Sequence, residues 1–188
     1  MLCCCKIEYD KALLQKALSL CPKWRRQKAE KITNAEVFAS SVTAGLLLRH
    51  CLKERADEVI ISQNGKPYLE RGEHFSLSHS GEYAICAVSQ SEIGVDIQKI
   101  TEVSEKAVKR FCTESELKFL EKSADRPRDT IRLWALKESY LKASGLTASE
   151  VFAADFAIEG EKVKGPKGYE FCLNEEIAGY VIAVCEKT

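Results

Sequence analysis

Apolar positions along this chain follow two alternating rhythms. From about residue 34 to residue 53 they recur every three or four residues, placing Val37, Phe38, Ser41, Val42, Gly45, Leu46 and Leu48 on one face, and Asn34 stands where a helix N-cap belongs. A second run of that period, from about Arg128 to Ser144, carries Ile131, Trp134, Leu136, Tyr140 and Leu141 and stops at Gly145, a residue suited to a helix C-terminus. After each run the period shortens. Phe75-Ser76-Leu77-Ser78 is followed by Tyr83-Ala84-Ile85-Cys86-Ala87-Val88, and Phe171-Cys172-Leu173-Asn174 is followed at nearly the same interval by Tyr180-Val181-Ile182-Ala183-Val184-Cys185. Both stretches predict antiparallel hairpins with an apolar face. Helix followed by hairpin therefore occurs twice.

That repetition predicts an α+β chain made of two similar α/β halves with pseudo-two-fold symmetry. The halves are residues 1–93 and 94–188, packed as one pseudo-dimeric unit with a cleft between them of the kind that commonly holds ligands. No linker rich in Pro, Gly or Ser separates them.

Composition narrows the function classes. A chain of 188 residues that is 45% hydrophobic can bury a core. Lys+Arg and Asp+Glu both number 28, so no global field attracts nucleic acid or an anionic membrane, and an anionic ligand must be met by a local cluster. No stretch approaches the ~20 apolar residues of a membrane span, and no basic region followed by an apolar run opens the chain. A cytoplasmic protein is the expectation. Cys51, Cys86, Cys112, Cys172 and Cys185 are scattered singly without paired zinc spacing and read as small reduced hydrophobes. Cys3, Cys4 and Cys5 would point alternately to opposite faces of an extended segment, which predicts an N-terminal strand rather than a metal site.

Candidate chemistry gathers in four places. In Gly94-Val95-Asp96-Ile97-Gln98, a short predicted strand, Asp96 and Gln98 project from one face as two oxygen donors suited to a hard cation, though an Asp at a strand end also serves as a turn or cap residue. On the second helix Glu138 follows Lys137 and precedes Lys142 by four residues. It reads either as an exposed Glu–Lys pair or, in a half-buried segment, as a carboxylate flanked by lysines that binds metal and pyrophosphate together. Asn64-Gly65-Lys66-Pro67 reads as a turn after a strand at 59–62, with Pro67 biasing Lys66 toward extended geometry. Phe75-Ser76-Leu77-Ser78-His79-Ser80-Gly81 sets serines and a histidine at a hairpin end. A hydrolase based on Ser78 and His79 lacks both the flanking glycines of a nucleophile elbow and a visible acid partner, whereas Ser78, His79 and Lys66 suffice as phosphate donors.

The ordered set Gly65-Lys66-Pro67, Phe75 to Gly81, Gly94-Val95-Asp96-Ile97 and Trp134-x-x-Lys137-Glu138-Ser139-Tyr140-x-Lys142-x-x-Gly145 resembles the Sfp-type 4'-phosphopantetheinyl transferases. The resemblance covers roughly the middle half of the chain. It implies the 4'-phosphopantetheinyl transferase fold and the transfer of the phosphopantetheine arm of coenzyme A to a serine of an apo acyl, polyketide or peptidyl carrier protein, with release of 3',5'-ADP. Asp96, Gln98 and Glu138 would hold Mg²⁺, while Lys66, Pro67, Ser78, His79, Lys137 and Lys142 would contact coenzyme A. Glu138, Lys142 and Glu116 would be the catalytic residues, Glu116 as general base. Thr113-x-x-Glu116 equally matches a capping box, a purely structural use. A monomer without nucleic-acid or membrane partners is expected.

Two departures from the family pattern stand out. Gln98 replaces a frequent glutamate, and Ser40 and Ser41 stand near Gly45, where an arginine often binds coenzyme A phosphate. The basic cluster Lys23, Arg25, Arg26, Lys28 and Lys31 either compensates or is a solvated helix face. These departures keep a second reading open, a coenzyme A or nucleotide-binding regulatory module without transferase activity.

Overall fold

The protein is described by a computed structural model over residues 1–62, 65–160 and 162–188. Its chain divides into two units, Met1–Gln90 and Ser91–Thr188.

The first unit runs β1 (Leu2–Lys6), α1 (Lys11–Ala17), α2 (Lys23–Ala29), α3 (Ala35–Leu52), β2 (Ile60–Ile61), β3 (Pro67–Tyr68), β4 (His74–Ser80) and β5 (Tyr83–Ser89). The Cys3 to Cys5 run lies on β1, with Cys4 exposed and its two neighbours half-buried. Asn34 caps α3 by accepting from the backbone N–H groups of Glu36 and Val37, at 3.0 Å each. The single apolar face expected of α3 is corrected by the structure. Residues 38–45 are all buried, whereas Val37 is 53% exposed. The reason is that α1, α2 and β5 all pack on α3, so the helix has several covered sides. β1, β5 and β4 form an antiparallel sheet in that order. The strand expected at 59–62 contracts to the two exposed residues of β2, paired with β3. Asn64, part of the turn expected there, lies outside the described residues.

The second unit runs β6 (Ile93–Lys99), α4 (Glu105–Phe111), α5 (Glu114–Glu121), α6 (Arg126–Ser144), α7 (Ala148–Ala153), β7 (Ala157–Glu159), β8 (Lys162–Lys164), β9 (Tyr169–Asn174) and β10 (Tyr180–Lys187). α6 starts two residues before the expected Arg128. Asp125 caps it by accepting from the N–H of Arg128, and Pro127 sits in the first turn, where a missing N–H costs no helical bond. The helix ends at Gly145, whose φ of 69° lies in the left-handed region. β6, β10 and β9 form an antiparallel sheet in that order, and α6 packs on β6 and β10. Tyr140 of α6 meets Tyr169, Phe156 and Phe171 edge-on at 5.0–6.2 Å between ring centroids, which fills the space between helix and sheet.

Each unit is thus a mixed α+β assembly on one plan. A first strand is followed by a long helix and then by a hairpin whose second strand pairs with the first strand.

Candidate active site

The site in the second unit starts from a glycine. A Cβ built on Gly94 would lie 1.9 Å from the carbonyl oxygen of Ser139 and 2.6 Å from the amide nitrogen of Ala143. Only a residue without a side chain lets the backbone of α6 approach β6 this closely. Side chains alternate along a strand, so Asp96 and Gln98 share the face of Gly94. Glu138 and Lys142, one turn apart on α6, stand beside that contact.

Three of these side chains are in direct contact, and Glu138 lies within the electrostatic field of Asp96 and Lys142. Lys142 Nζ donates to Asp96 Oδ1 at 2.6 Å and to the carbonyl oxygen of Val95 at 3.0 Å. Gln98 Nε2 donates to Asp96 Oδ2 at 2.9 Å. Asp96 is 1% exposed, so its charge is held by these donors rather than by bulk water. Burial, followed by the negative charge of Asp96, pushes the Glu138 carboxyl above the usual range, and Lys142 opposes the shift. Two carboxylates within each other's field, with the Gln98 amide bonded to Asp96, offer oxygen donors with excess negative charge. That chemistry fits a hard divalent cation. Among the described residues no three His, Cys, Asp or Glu side chains cluster in a metal-binding arrangement, so the neutral Gln98 is what this group has as its third donor.

Glu116 and Lys137 are brought together elsewhere. Lys137 does not flank Glu138 as the sequence suggested. Its side chain is fully buried, and Nζ lies 3.0 Å from Glu116 Oε1 while donating to the carbonyl oxygens of Ala154 at 2.6 Å and Phe152 at 3.3 Å. Glu116 Oε1 also accepts from the N–H of Phe156 at 3.0 Å, and Oε2 accepts from the N–H of Thr113 at 2.8 Å. The capping box Thr113-x-x-Glu116 is therefore formed, and both carboxylate oxygens are engaged. Successive residues of a helix point about 100° apart. That offset turns Lys137 inward while Glu138 faces β6.

In the first unit, Lys66 and Pro67 follow the turn closed by Ser62 N–H donating to Lys66 O at 2.9 Å and Lys66 N–H donating to Ser62 Oγ at 3.0 Å. Ser78 and His79 lie on β4 opposite Ile85 and Ala84, with Ser78 buried and His79 exposed.

Comparison with known proteins decides the family. Residues 92–185 match the model of the 4'-phosphopantetheinyl transferase superfamily, a segment that contains all four members of the Asp96 group. The chain belongs to that superfamily. It is 31% identical to the 4'-phosphopantetheinyl transferase psf-1 of Bacillus pumilus over 87% of this chain and 77% of that protein. It is 29% identical to the 4'-phosphopantetheinyl transferase Sfp of Bacillus subtilis (strain 168) over 86% of this chain and 80% of that protein. It is 30% identical to the 4'-phosphopantetheinyl transferase gsp of Aneurinibacillus migulanus, where the match covers 73% of this chain and 62% of the relative. The chain thus spans about three fifths of the length of that relative.

The departure near Gly45 acquires a structural counterpart. Arg25 of α2 lies across α3: its Nε donates to the carbonyl oxygen of Ser41 at 3.2 Å, and a Cβ on Gly45 would come within 2.9 Å of its Cγ. Arg25, Lys28 and Lys31 line an open groove with Trp24, Gly65 and Pro67, on either side of Lys66 in sequence. Sequence reasoning named Arg25 only as one member of a basic cluster. The helical spacing of α2 could not show which arginine crosses to α3.

Proposed function

We propose that this chain transfers the 4'-phosphopantetheine arm of coenzyme A to a serine of an apo carrier protein and releases 3',5'-ADP. The observation that carries the reading is the convergence of Asp96, Gln98, Glu138 and Lys142 where α6 meets β6 at Gly94. We assign Asp96, Glu138 and Gln98 as the residues that would hold Mg²⁺, which when bound supplies positive charge to the pyrophosphate. Lys142 brings a second positive charge to the same place and stabilises the developing charge of the leaving phosphate. Lys66, Pro67, Ser78 and His79 contact coenzyme A, with Arg25 and its groove taking the phosphate that an arginine near Gly45 serves in relatives. Glu116 and Lys137 hold α6 in place instead of touching the substrate, a reading that their closed hydrogen-bond network favours over a general-base role. We place the activity in the cytoplasm and in a monomer.

The test is incubation of the purified protein with Mg²⁺, coenzyme A and a panel of apo acyl and peptidyl carriers, read by mass spectrometry. One phosphopantetheine should be added per carrier, with 3',5'-ADP formed in equal amount. Asp96→Ala and Glu138→Ala should each lose most of the rate, because an octahedral Mg²⁺ site tolerates the loss of a carboxylate poorly. Gln98→Ala should lose less, and Gln98→Glu should lower the Mg²⁺ concentration for half-maximal rate. Coenzyme A binding with every carrier left unmodified would favour the regulatory module.

A further inference from the structure

Two cysteines far apart in sequence face each other in the first unit, away from the residues assigned above. Cys3 of β1 lies directly opposite Cys86 of β5, the central strand of the order β1-β5-β4. Directly opposed residues of an antiparallel pair project from one face of the sheet. That face is the inner one, because Cys86 is fully buried and Cys3 packs against the same apolar core. Of the three consecutive cysteines only Cys3 has a thiol across from it, since Cys4 is opposite Ile85 and Cys5 opposite Ala84. Met1 N donates to Val88 O at 2.7 Å and Val88 N–H donates to Met1 O at 2.8 Å, while Ile7 N–H donates to Glu82 O at 2.7 Å. Hydrogen-bonded pairs recur every second residue, so Cys3 and Cys86 are one of them. Their Cα atoms are then about 5.5 Å apart, inside the ~4.4–6.8 Å that disulfides span. Opposed Cβ atoms of such a pair lie toward the wide end of ~4.5–5.5 Å, beyond the ~3.5–4.5 Å of a relaxed disulfide. The bond therefore closes only if β1, an edge strand, draws toward β5. A disulfide closed against that gap is strained, and strained disulfides are the readily reduced ones.

We propose that Cys3 and Cys86 are a reversible redox pair, closed by exchange with a small disulfide into a cross-strand bond that straps β1 to β5 and reopened by small thiols. Cys3 reacts first, since it is half-buried whereas Cys86 is fully buried. Its thiolate attacks one sulfur of oxidised glutathione, the S–S bond breaks, and one glutathione leaves as a thiolate that takes up the Cys3 proton. The Cys86 sulfur then attacks the Cys3 sulfur of the mixed disulfide, and the second glutathione leaves with the Cys86 proton. Two protein thiols lose two electrons and one disulfide becomes two thiols. Burial raises the Cys3 thiol above its ordinary value, so the first step is limited by a small thiolate fraction. The product ties the edge strand to the strand that pairs on its other side with Ser78 and His79.

The experiment equilibrates the native full-length protein at mildly alkaline pH in buffers of increasing oxidised-to-reduced glutathione ratio, blocks remaining thiols and maps tryptic peptides without reduction. The linked peptides 1–6 and 72–99 should appear with the mass of two hydrogens missing and dominate at the oxidised end. Restoring excess reduced glutathione should lower the linked fraction about tenfold. The link should persist in a Cys4→Ser/Cys5→Ser variant and in Cys51→Ser, and vanish in Cys3→Ser. A wild-type protein that never forms this link at the oxidised end, a measurement needing no variant, would overturn the proposal. A link from peptide 1–6 to peptide 50–53 in its place would overturn the choice of Cys86, and loss of the link in the Cys4→Ser/Cys5→Ser variant would overturn the choice of Cys3. A link that survives excess reduced glutathione would overturn its reversibility.

Discussion

At the scale of single residues, the buried Glu116–Lys137 pair makes the sharpest demand. Each charge is met by the other and by backbone groups of residues 113, 152, 154 and 156, and the Lys137 ammonium also lies 5.3 Å from the centroid of the Phe156 ring. Removing one partner leaves the other charged and fully buried, a change that typically costs about 3–5 kcal/mol. Glu116→Ala should lower the unfolding free energy from urea titration by that amount, and the double variant Glu116→Leu/Lys137→Met should recover much of it. A Glu116→Ala protein with wild-type stability would show that the pair does not hold the fold. The pair was half legible in sequence. Thr113-x-x-Glu116 announced its capping box, but a capping box says nothing about a lysine 21 positions later.

Among the elements, the contact of α6 with β6 decides where the site is. At Gly94 the neighbouring atoms belong to the backbone of α6, which cannot turn aside as a side chain does. Gly94→Ala must therefore push α6 away from β6, at about 1–3 kcal/mol or more for overpacking. Carrier modification should fall well beyond what that stability loss explains, since Glu138 and Lys142 move with the helix. Gly145→Ala, at the left-handed end of the same helix with no atom within 4 Å of the added carbon, should cost stability without comparable loss of rate. Comparing the two variants by urea unfolding and initial rate separates positioning from helix termination. Equal rates would show that the close approach is not needed for the chemistry.

For the whole molecule, charge crowding at the site should appear in how stability responds to pH. The folded-state Glu138 carboxyl is raised by burial and by Asp96, so between the ordinary glutamate value and the raised one the folded protein binds more protons than the unfolded chain. Stability must then fall as pH rises through that window. In EDTA, Glu138→Gln should melt above the wild type at pH 7, and the difference should shrink as pH falls toward the ordinary glutamate value. Thermal unfolding between pH 4 and 8 checks the sign. A wild type as stable as Glu138→Gln at pH 7 would remove the case for a strained carboxylate there.

The sequence by itself determined the elements that depend on local pattern: α3 with its Asn34 cap, α6 up to Gly145, and two hairpins. It also determined that Asp96 and Gln98 share a strand face, since period two is a property of the chain. Tertiary structure alone decided which charges meet. Lys137 and Lys142 look equivalent in sequence, yet one turns into the core to Glu116 and the other to Asp96, because the rotation of α6 is fixed by its packing on Gly94. The same holds for Cys3 opposite Cys86, and for Arg25 against Ser41. Each is a contact between residues distant in the chain, and strand register and helix crossing are set by the packing of whole faces, which no local period encodes.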